Sequence, residues 1–143
     1  MSIIERALDQ AAEGWMVGHI DRAYWLWDRL NWRCFDDLLS MPLIRIELPH
    51  RGVERHAYAD IAPTDEAGAR LVVRIHPELL RGTSPNYGRV LDSYLLHEQV
   101  HAWQVEVLGW PWEADLDWHG ARFRAKQAEV THAWSLDPAS ITR

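Results

Sequence analysis

The chain has 143 residues, of which 48% are hydrophobic and 25% charged. This composition is typical of a folded globular domain and excludes a disordered one. Its formal net charge of -6 argues against general nucleic-acid binding, because phosphate contacts require clustered Lys and Arg. The single cysteine excludes an internal disulfide and a cysteine-built zinc ribbon. Since no stretch resembles a signal peptide or a membrane span, we expect a cytosolic protein with no membrane segment.

The N-terminal part of the chain, from residue 2 to about 40, has a helical pattern. Apolar residues recur there at intervals of three and four, a spacing that places them on one face of a helix turned towards a core. Gly14 and Gly18 predict two helices with a break between them. The residues of this apolar stripe are Ile20, Ala23, Trp27, Leu30, Cys34 and Leu38.

The middle of the chain has the alternating pattern of β-strands. Three segments alternate between apolar and polar residues, and turn-prone residues at 49–52 and 63–68 separate them. Short connections of this kind predict a three-stranded, mainly antiparallel meander, in which Pro77 ends the last strand. The three predicted strands are 42–48, 55–61 and 70–76.

Helical periodicity returns in the last third of the chain. One helix is predicted from about 89 to 108, and another from about 120 to 134 with Phe123, Val130 and Trp134 facing inward. Helices, then strands, then helices predict an α+β fold. We therefore expect a single domain with N-terminal helices over 1–40, an α+β core over 41–134 and a loose tail over 135–143.

The predicted helix over 89–108 contains the sequence HEQVH, residues 97–101. His97 and His101 are four residues apart, so they project from the same helix face and can hold one Zn²⁺. Glu98 points elsewhere but can reach a water on the metal and accept its proton, as a general base in hydrolysis must. This pattern predicts one zinc ion, bound by His97 and His101, with Glu98 as the catalytic base.

A catalytic zinc usually has a third protein ligand and one open position. Downstream of HEQVH, the candidates are Glu113, Asp115, Asp117, His119 and His132. His119 opens the last predicted helix, whereas the acidic candidates lie in the loop before it. If the chain turns back after HEQVH, the last predicted helix lies beside the helix that carries His97 and His101. This arrangement favours His119 as the third ligand. An acidic third ligand stays open as the alternative.

Two stretches, LLHEQVHAWQ and DWHGARFRAKQAEV, together resemble the SprT-like family of zincin metalloproteases. That family combines HExxH with a later His-Gly-x-x-Phe element, here His119, Gly120 and Phe123. The similarity covers roughly residues 40–130. It implies a zincin-like fold, with zinc on His97, His101 and His119 and Glu98 as base. It also implies a protein or peptide substrate laid along an exposed strand of the sheet.

Some members of this family associate with DNA through a cysteine-rich ribbon or basic segments. The resemblance therefore raises DNA association as a possible property. This chain carries no such segment, and its acidic net charge speaks against that role. Its Trp-rich stretch between HEQVH and His119 also differs from the family pattern.

Several further residues are candidates for supporting roles. His76, Tyr87 or His132 is a candidate to stabilise a developing oxyanion or contact substrate, as His and Tyr do in other hydrolases. Trp103 is expected to pack beneath the site. Trp118 is expected, with Trp110 and Trp112, to pin the loop before His119 or to line an apolar pocket.

These observations predict a zinc-dependent metallopeptidase of SprT-like type. The alternative is a non-catalytic zinc protein that acts as an interaction module through its Trp-rich surfaces. The two differ in the metal site, because a structural zinc is enclosed by four protein ligands whereas a catalytic zinc keeps an open position.

Overall fold

The computed structural model describes residues 2–47, 59–80, 87–112 and 116–135. The chain has an α+β fold, as its sequence predicts. A 3₁₀ turn, Glu66–Gly68, lies between the second and third strands. In chain order, the elements of the described part are α1 (Ile3–Cys34), β1 (Leu43–Ile46), β2 (Ala59–Pro63), β3 (Leu71–Ile75), α2 (Pro77–Leu80), α3 (Tyr87–Glu106) and α4 (Ala121–Ser135).

Helix α1 is one continuous helix of 32 residues, so the predicted break at Gly14 and Gly18 is wrong. It begins with a capping box, in which the Glu5 N–H donates to the Ser2 hydroxyl at 3.1 Å and the Ser2 N–H donates to the Glu5 carboxylate at 3.0 Å. Glycine inside a helix costs only about 0.5–1 kcal/mol relative to alanine. Without a proline or a capping residue beside them, the two glycines weaken the helix but do not end it.

The predicted apolar stripe of α1 is largely correct. Ala23, Trp27 and Leu30 are buried, and Ile20 and Cys34 pack against the core as partly buried residues. Leu38 is exposed, contrary to the prediction. The reason is that α1 ends at Cys34, and Asp36 and Asp37 take up positive φ angles of 51° and 60°, which breaks the helical phase before Leu38.

Cys34 is a core residue, as expected from its position in the stripe. Its Sγ donates to the carbonyl oxygen of Val130 in α4 at 3.6 Å. Burial raises the pKa of the Cys34 thiol to about 11. At neutral pH the side chain is therefore a protonated thiol that packs between α1 and α4.

The sheet is mixed, so the predicted mainly antiparallel meander is only partly correct. Its strand order is β1-β3-β2, with β3 antiparallel to β2 and parallel to β1. All five residues of β3 are buried, as is typical of a strand covered on both faces. Burial of both faces favours β3 in the centre, which separates β1 from β2 although these two follow each other in sequence. The predicted second strand, 55–61, overlaps β2 over 59–61, and β2 continues to Pro63; residues 55–58 lie outside the described part.

Helix α3 is the central helix of the fold. It contacts α1, α2, α4 and strand β2, and Leu91, Leu95 and Val100 on it are fully buried. It runs over 87–106, close to the predicted 89–108. The segment HEQVH thus lies on the helix that contacts α1, α2, α4 and β2.

Helix α4 covers α3 with the three residues predicted to face inward. Phe123, Val130 and Trp134 are all buried, and the Trp134 indole N–H donates to the Asp92 carboxylate of α3 at 3.1 Å. This packing brings the N-terminal end of α4, where His119 precedes the helix, towards α3. Within the described ranges, none of the helices has the combination of length and apolar character that spanning a bilayer requires.

Candidate metal site

Three histidines converge where α3 meets the start of α4. Within the described part of the chain, one nitrogen from each of His97, His101 and His119 lies within 4.8 Å of the others. The Nε2 atoms of His101 and His119 are 3.1 Å apart. The ring centroids are separated by 5.0 Å for His97–His101, 5.4 Å for His97–His119 and 4.8 Å for His101–His119. The structure thus brings together the three residues that the sequence singled out as ligands.

This geometry fits a small metal ion. Tetrahedral zinc with Zn–N bonds of about 2.0–2.1 Å holds two ligand nitrogens about 3.3 Å apart, close to the 3.1 Å between His101 and His119. The other nitrogen–nitrogen distances among the three histidines are up to 4.8 Å, and rotation of the imidazole rings can shorten them. Imidazole nitrogens suit zinc, copper, iron and nickel, so the three residues can hold a metal ion, and its identity as zinc stays a prediction.

The three imidazoles differ in exposure. His101 is buried, His97 is partly buried and His119 is exposed. Burial, and next the neighbouring His119, lowers the pKa of His97 to about 4. His97 is therefore neutral around pH 7, which is the form that ligates a metal. The exposure of His119 leaves one side of the cluster accessible from solvent.

The buried ring of Phe123 contacts all three histidines. It stacks on His101 at 4.7 Å and meets His97 and His119 edge-on at 4.9 and 5.1 Å between ring centroids. A rigid aromatic ring on this side limits the orientations that the imidazoles can adopt. The sequence predicts Phe123 only as a core residue and as part of the His-Gly-x-x-Phe element. Its spacing of four from His119 is the signal that would have indicated a contact with the ligand.

A tight turn before α4 presents His119. The Gly120 N–H donates to the Asp117 carbonyl oxygen at 3.1 Å, and Gly120 is buried. A Cβ atom on Gly120 would lie 2.5 Å from the Asp117 carboxylate and 3.2 Å from the Asp117 carbonyl oxygen. A side chain at this position would push the exposed Asp117 carboxylate aside and press on the Asp117 carbonyl oxygen, so the turn favours glycine directly after the third histidine.

We expect Gly120→Ala to lower the free energy of unfolding by about 1 kcal/mol, the lower end of the usual cost of extra atoms in a packed region, because the exposed Asp117 side chain can move aside. The matched control is Gly18→Ala, because a Cβ there meets nothing within 4 Å and alanine favours the helix by about 0.5–1 kcal/mol. Urea denaturation of both variants measures the difference. Equal stability of the two variants would show that the Asp117–Gly120 turn is not constrained.

Three tryptophans pack together around the loop that leads to His119. The ring of Trp118 lies 5.4 Å from those of both Trp110 and Trp112, and 6.3 Å from His101. Because Trp110 and Trp112 follow α3 and Trp118 precedes α4, their contacts join the two ends of the loop. This favours the predicted pinning role, while a substrate pocket formed by these rings stays a prediction.

Trp103 lies on the side of α3 that faces α4. The Lys126 ammonium and the Arg122 guanidinium sit 5.0 and 5.9 Å from the centre of its ring. Trp103 therefore supports the packing of the two helices that carry the site.

The remaining candidates lie at different places. Glu98 is buried on α3, directly after His97. His76 lies between β3 and α2. His132 is exposed and lies about 16 Å along α4 from the start of that helix, so the structure does not bring it to the histidine cluster. The side chain of Tyr87 and the alternative ligands Glu113 and Asp115 lie outside what the structure describes.

Comparisons with protein-family profiles, curated proteins and solved structures found no match. Function therefore has to be inferred from the three histidines, from Glu98 and from their surroundings. The resemblance of the two sequence motifs to SprT-like proteases stays a prediction.

Proposed function

We propose that this protein is a zinc-dependent metallopeptidase of SprT-like type that hydrolyses peptide bonds in a protein substrate. The observation that carries the proposal is the convergence of His97, His101 and His119. A local HExxH match says nothing about a third ligand 18 residues further on. His119 nevertheless lies close to His97 and His101, as a catalytic zinc site with three protein ligands requires.

In this proposal the three histidines hold one Zn²⁺. Bound zinc would supply Lewis acidity, lowering the pKa of water towards about 7 and polarising the substrate carbonyl. His97, which is neutral at physiological pH because burial lowers its pKa to about 4, needs no deprotonation before it can ligate.

Glu98 is the proposed general base. It follows His97 by one residue, about 100° further round the helix, so it flanks the ligand face instead of sharing it. Its carboxylate is buried, in a setting where electrostatic interactions are stronger than in water. It takes the proton of the attacking water and delivers it to the leaving amine, in the two-way role of an acid–base catalyst.

The surroundings of the site suit an extended peptide. His119 is exposed, which favours an open catalytic site over a closed structural one. Among the described strands, β2 lies at one edge of the sheet and contacts α3. A substrate added along such an edge strand would lie on the sheet strand that contacts the helix carrying HEQVH. The net charge of -6 does not favour DNA as a partner, and a cytosolic location is part of the proposal.

Zinc content and hydrolysis, compared between the wild type and Glu98→Gln, test the proposal. We expect about one zinc per chain in both proteins after reconstitution, and cleavage of an unfolded protein such as casein by the wild type only. Loss of the general base should slow hydrolysis by about 10²–10⁴-fold. Glu129→Gln, at an exposed position of α4, is the control for loss of a carboxylate and should behave as wild type.

Two results would count against the proposal. A wild type that takes up less than about half an equivalent of zinc has no such site. Zinc bound tightly without any hydrolysis would instead favour the non-catalytic zinc protein, and undiminished activity in Glu98→Gln would remove Glu98 from the mechanism.

A further inference from the structure

One fully buried glutamine side chain connects two of the three histidines. Gln104 is 0% exposed and lies one turn after His101 on α3. Its Oε1 is 2.8 Å from His101 Nδ1, and its Nε2 donates to the carbonyl oxygen of Trp118 at 3.1 Å. Trp118 directly precedes His119. The side chain thus spans from one ligand to the backbone that carries the next.

These two contacts determine which way the amide is oriented. The Trp118 carbonyl oxygen can only accept a hydrogen bond, so the NH₂ group of Gln104 must face it. The amide oxygen then faces His101, and that oxygen also can only accept. His101 must therefore donate through Nδ1–H. In the neutral ring this leaves the lone pair on Nε2, the atom that lies 3.1 Å from His119 Nε2 in the cluster.

The backbone of Gln104 takes part in the same connection. Its carbonyl oxygen accepts a hydrogen bond from the Trp110 N–H at 2.9 Å. Gln104 thus holds the loop at its beginning through the main chain and near its end through the side chain. Both bonds attach the loop that leads to His119 to helix α3.

We propose that Gln104 is a positioning residue of the metal site: it sets the tautomer of His101 and ties the backbone before His119 to α3. The proposal rests on the metal site of the proposed function. The amide can perform both tasks because its oxygen accepts a hydrogen bond and its NH₂ group donates one. An ionised carboxylate only accepts, and a thioether of similar size does neither to any useful extent.

Gln99 provides a matched comparison on the same helix. It is also 0% exposed, and its Nε2 donates to a backbone carbonyl, that of Trp27, at 2.9 Å. That bond connects α3 to α1, away from the histidine cluster. Loss of the Gln99 amide should therefore cost stability in much the same way without disturbing the ligands.

The experiment compares Gln104→Met, Gln104→Glu and Gln99→Met. Chelator competition measures zinc affinity, and ¹⁵N chemical shifts of the histidine rings in the zinc-free protein report the tautomer of His101. Changes in the partners that orient a ligand typically cost 10–100-fold in metal affinity. We expect a loss of about this size for Gln104→Met, with His101 no longer held as the Nδ1–H form.

The other two variants, Gln99→Met and Gln104→Glu, distinguish orientation of His101 by Gln104 from a general contribution to the stability of the fold. Gln99→Met should keep the wild-type zinc affinity and tautomer, and thermal unfolding establishes that both methionine variants are folded. Unlike Gln104→Met, Gln104→Glu should keep His101 in the Nδ1–H form, because the glutamate side chain again offers an oxygen that accepts this hydrogen bond.

Wild-type affinity and tautomer in Gln104→Met would overturn the inference, and so would an equal loss of affinity in Gln99→Met. A wild type that binds no zinc would refute the proposed function instead. The tautomer measurement, made without metal, still decides whether Gln104 orients His101.

Discussion

Replacing His101 by alanine should lower the affinity for zinc by roughly a hundred- to a thousandfold. Structural zinc sites with four ligands bind with about 10–16 kcal/mol, so one ligand carries roughly 2.5–4 kcal/mol. His101 is the buried member of the cluster, its Nε2 lies 3.1 Å from that of His119, and its ring stacks on Phe123. Its loss leaves two ligands, one of them exposed. Titration against a chelator of known affinity measures the change.

His132→Ala is the control for this prediction, because His132 is an exposed histidine on α4 away from the cluster. It should bind zinc as the wild type does. The same assay identifies the third ligand when His119→Ala is compared with Glu113→Ala. We expect the loss with His119→Ala, and a larger loss with Glu113→Ala would assign the position to the acidic residue.

Trp27→Ala should lower the free energy of unfolding by about 3–5 kcal/mol, the cost of truncating a large aromatic residue in a core. Trp27 is 0% exposed, and its backbone carbonyl accepts the amide of Gln99 from α3. It therefore anchors α1 to the helix that carries HEQVH. Since domains of this size have total stabilities of about 5–15 kcal/mol, the variant should unfold at a much lower urea concentration.

Trp32→Ala serves as the matched control on the same helix. Trp32 is 54% exposed, and surface substitutions of this kind usually change stability by no more than about 0.5 kcal/mol. Chemical denaturation followed by circular dichroism compares the two variants directly. Similar losses in both would mean that α1 does not pack on the core through its Trp27 face.

Local patterns in the sequence were enough to predict the helices of the site. The spacing of His97 and His101 predicts a shared helix face, because that relation depends only on the 3.6-residue repeat. The inward positions of α4, including Phe123 and Trp134, follow from the same repeat and are buried in the structure. The end of α1 was harder to predict, since the positive φ angles at Asp36 and Asp37 leave no periodic signal.

Strand pairing could not be read from the sequence in the same way. Alternation shows that a segment is a strand, but the choice of neighbour depends on how much apolar surface each arrangement buries. Placing β3 between β1 and β2 buries its five residues. A meander would have left β3 at an edge. The continuity of α1 through Gly14 and Gly18 could not be read from the sequence either. Each glycine costs the helix only about 0.5–1 kcal/mol, which the hydrogen bonds and packing of the remaining helix offset.

By itself, the sequence determined the α+β class, the helix that carries His97, Glu98 and His101, and His119 as the leading candidate for the third ligand. Only the tertiary structure decided that His119 meets the other two histidines, that Phe123 contacts all three, and that Gln104 bridges His101 to the loop. The physical reason is that the 3.6-residue repeat of a helix places His97 and His101 on the same face, whatever the rest of the chain does. Convergence across 18 residues depends instead on a turn at Gly120, on packed tryptophans and on a buried amide. Their contacts exist only once the chain is folded.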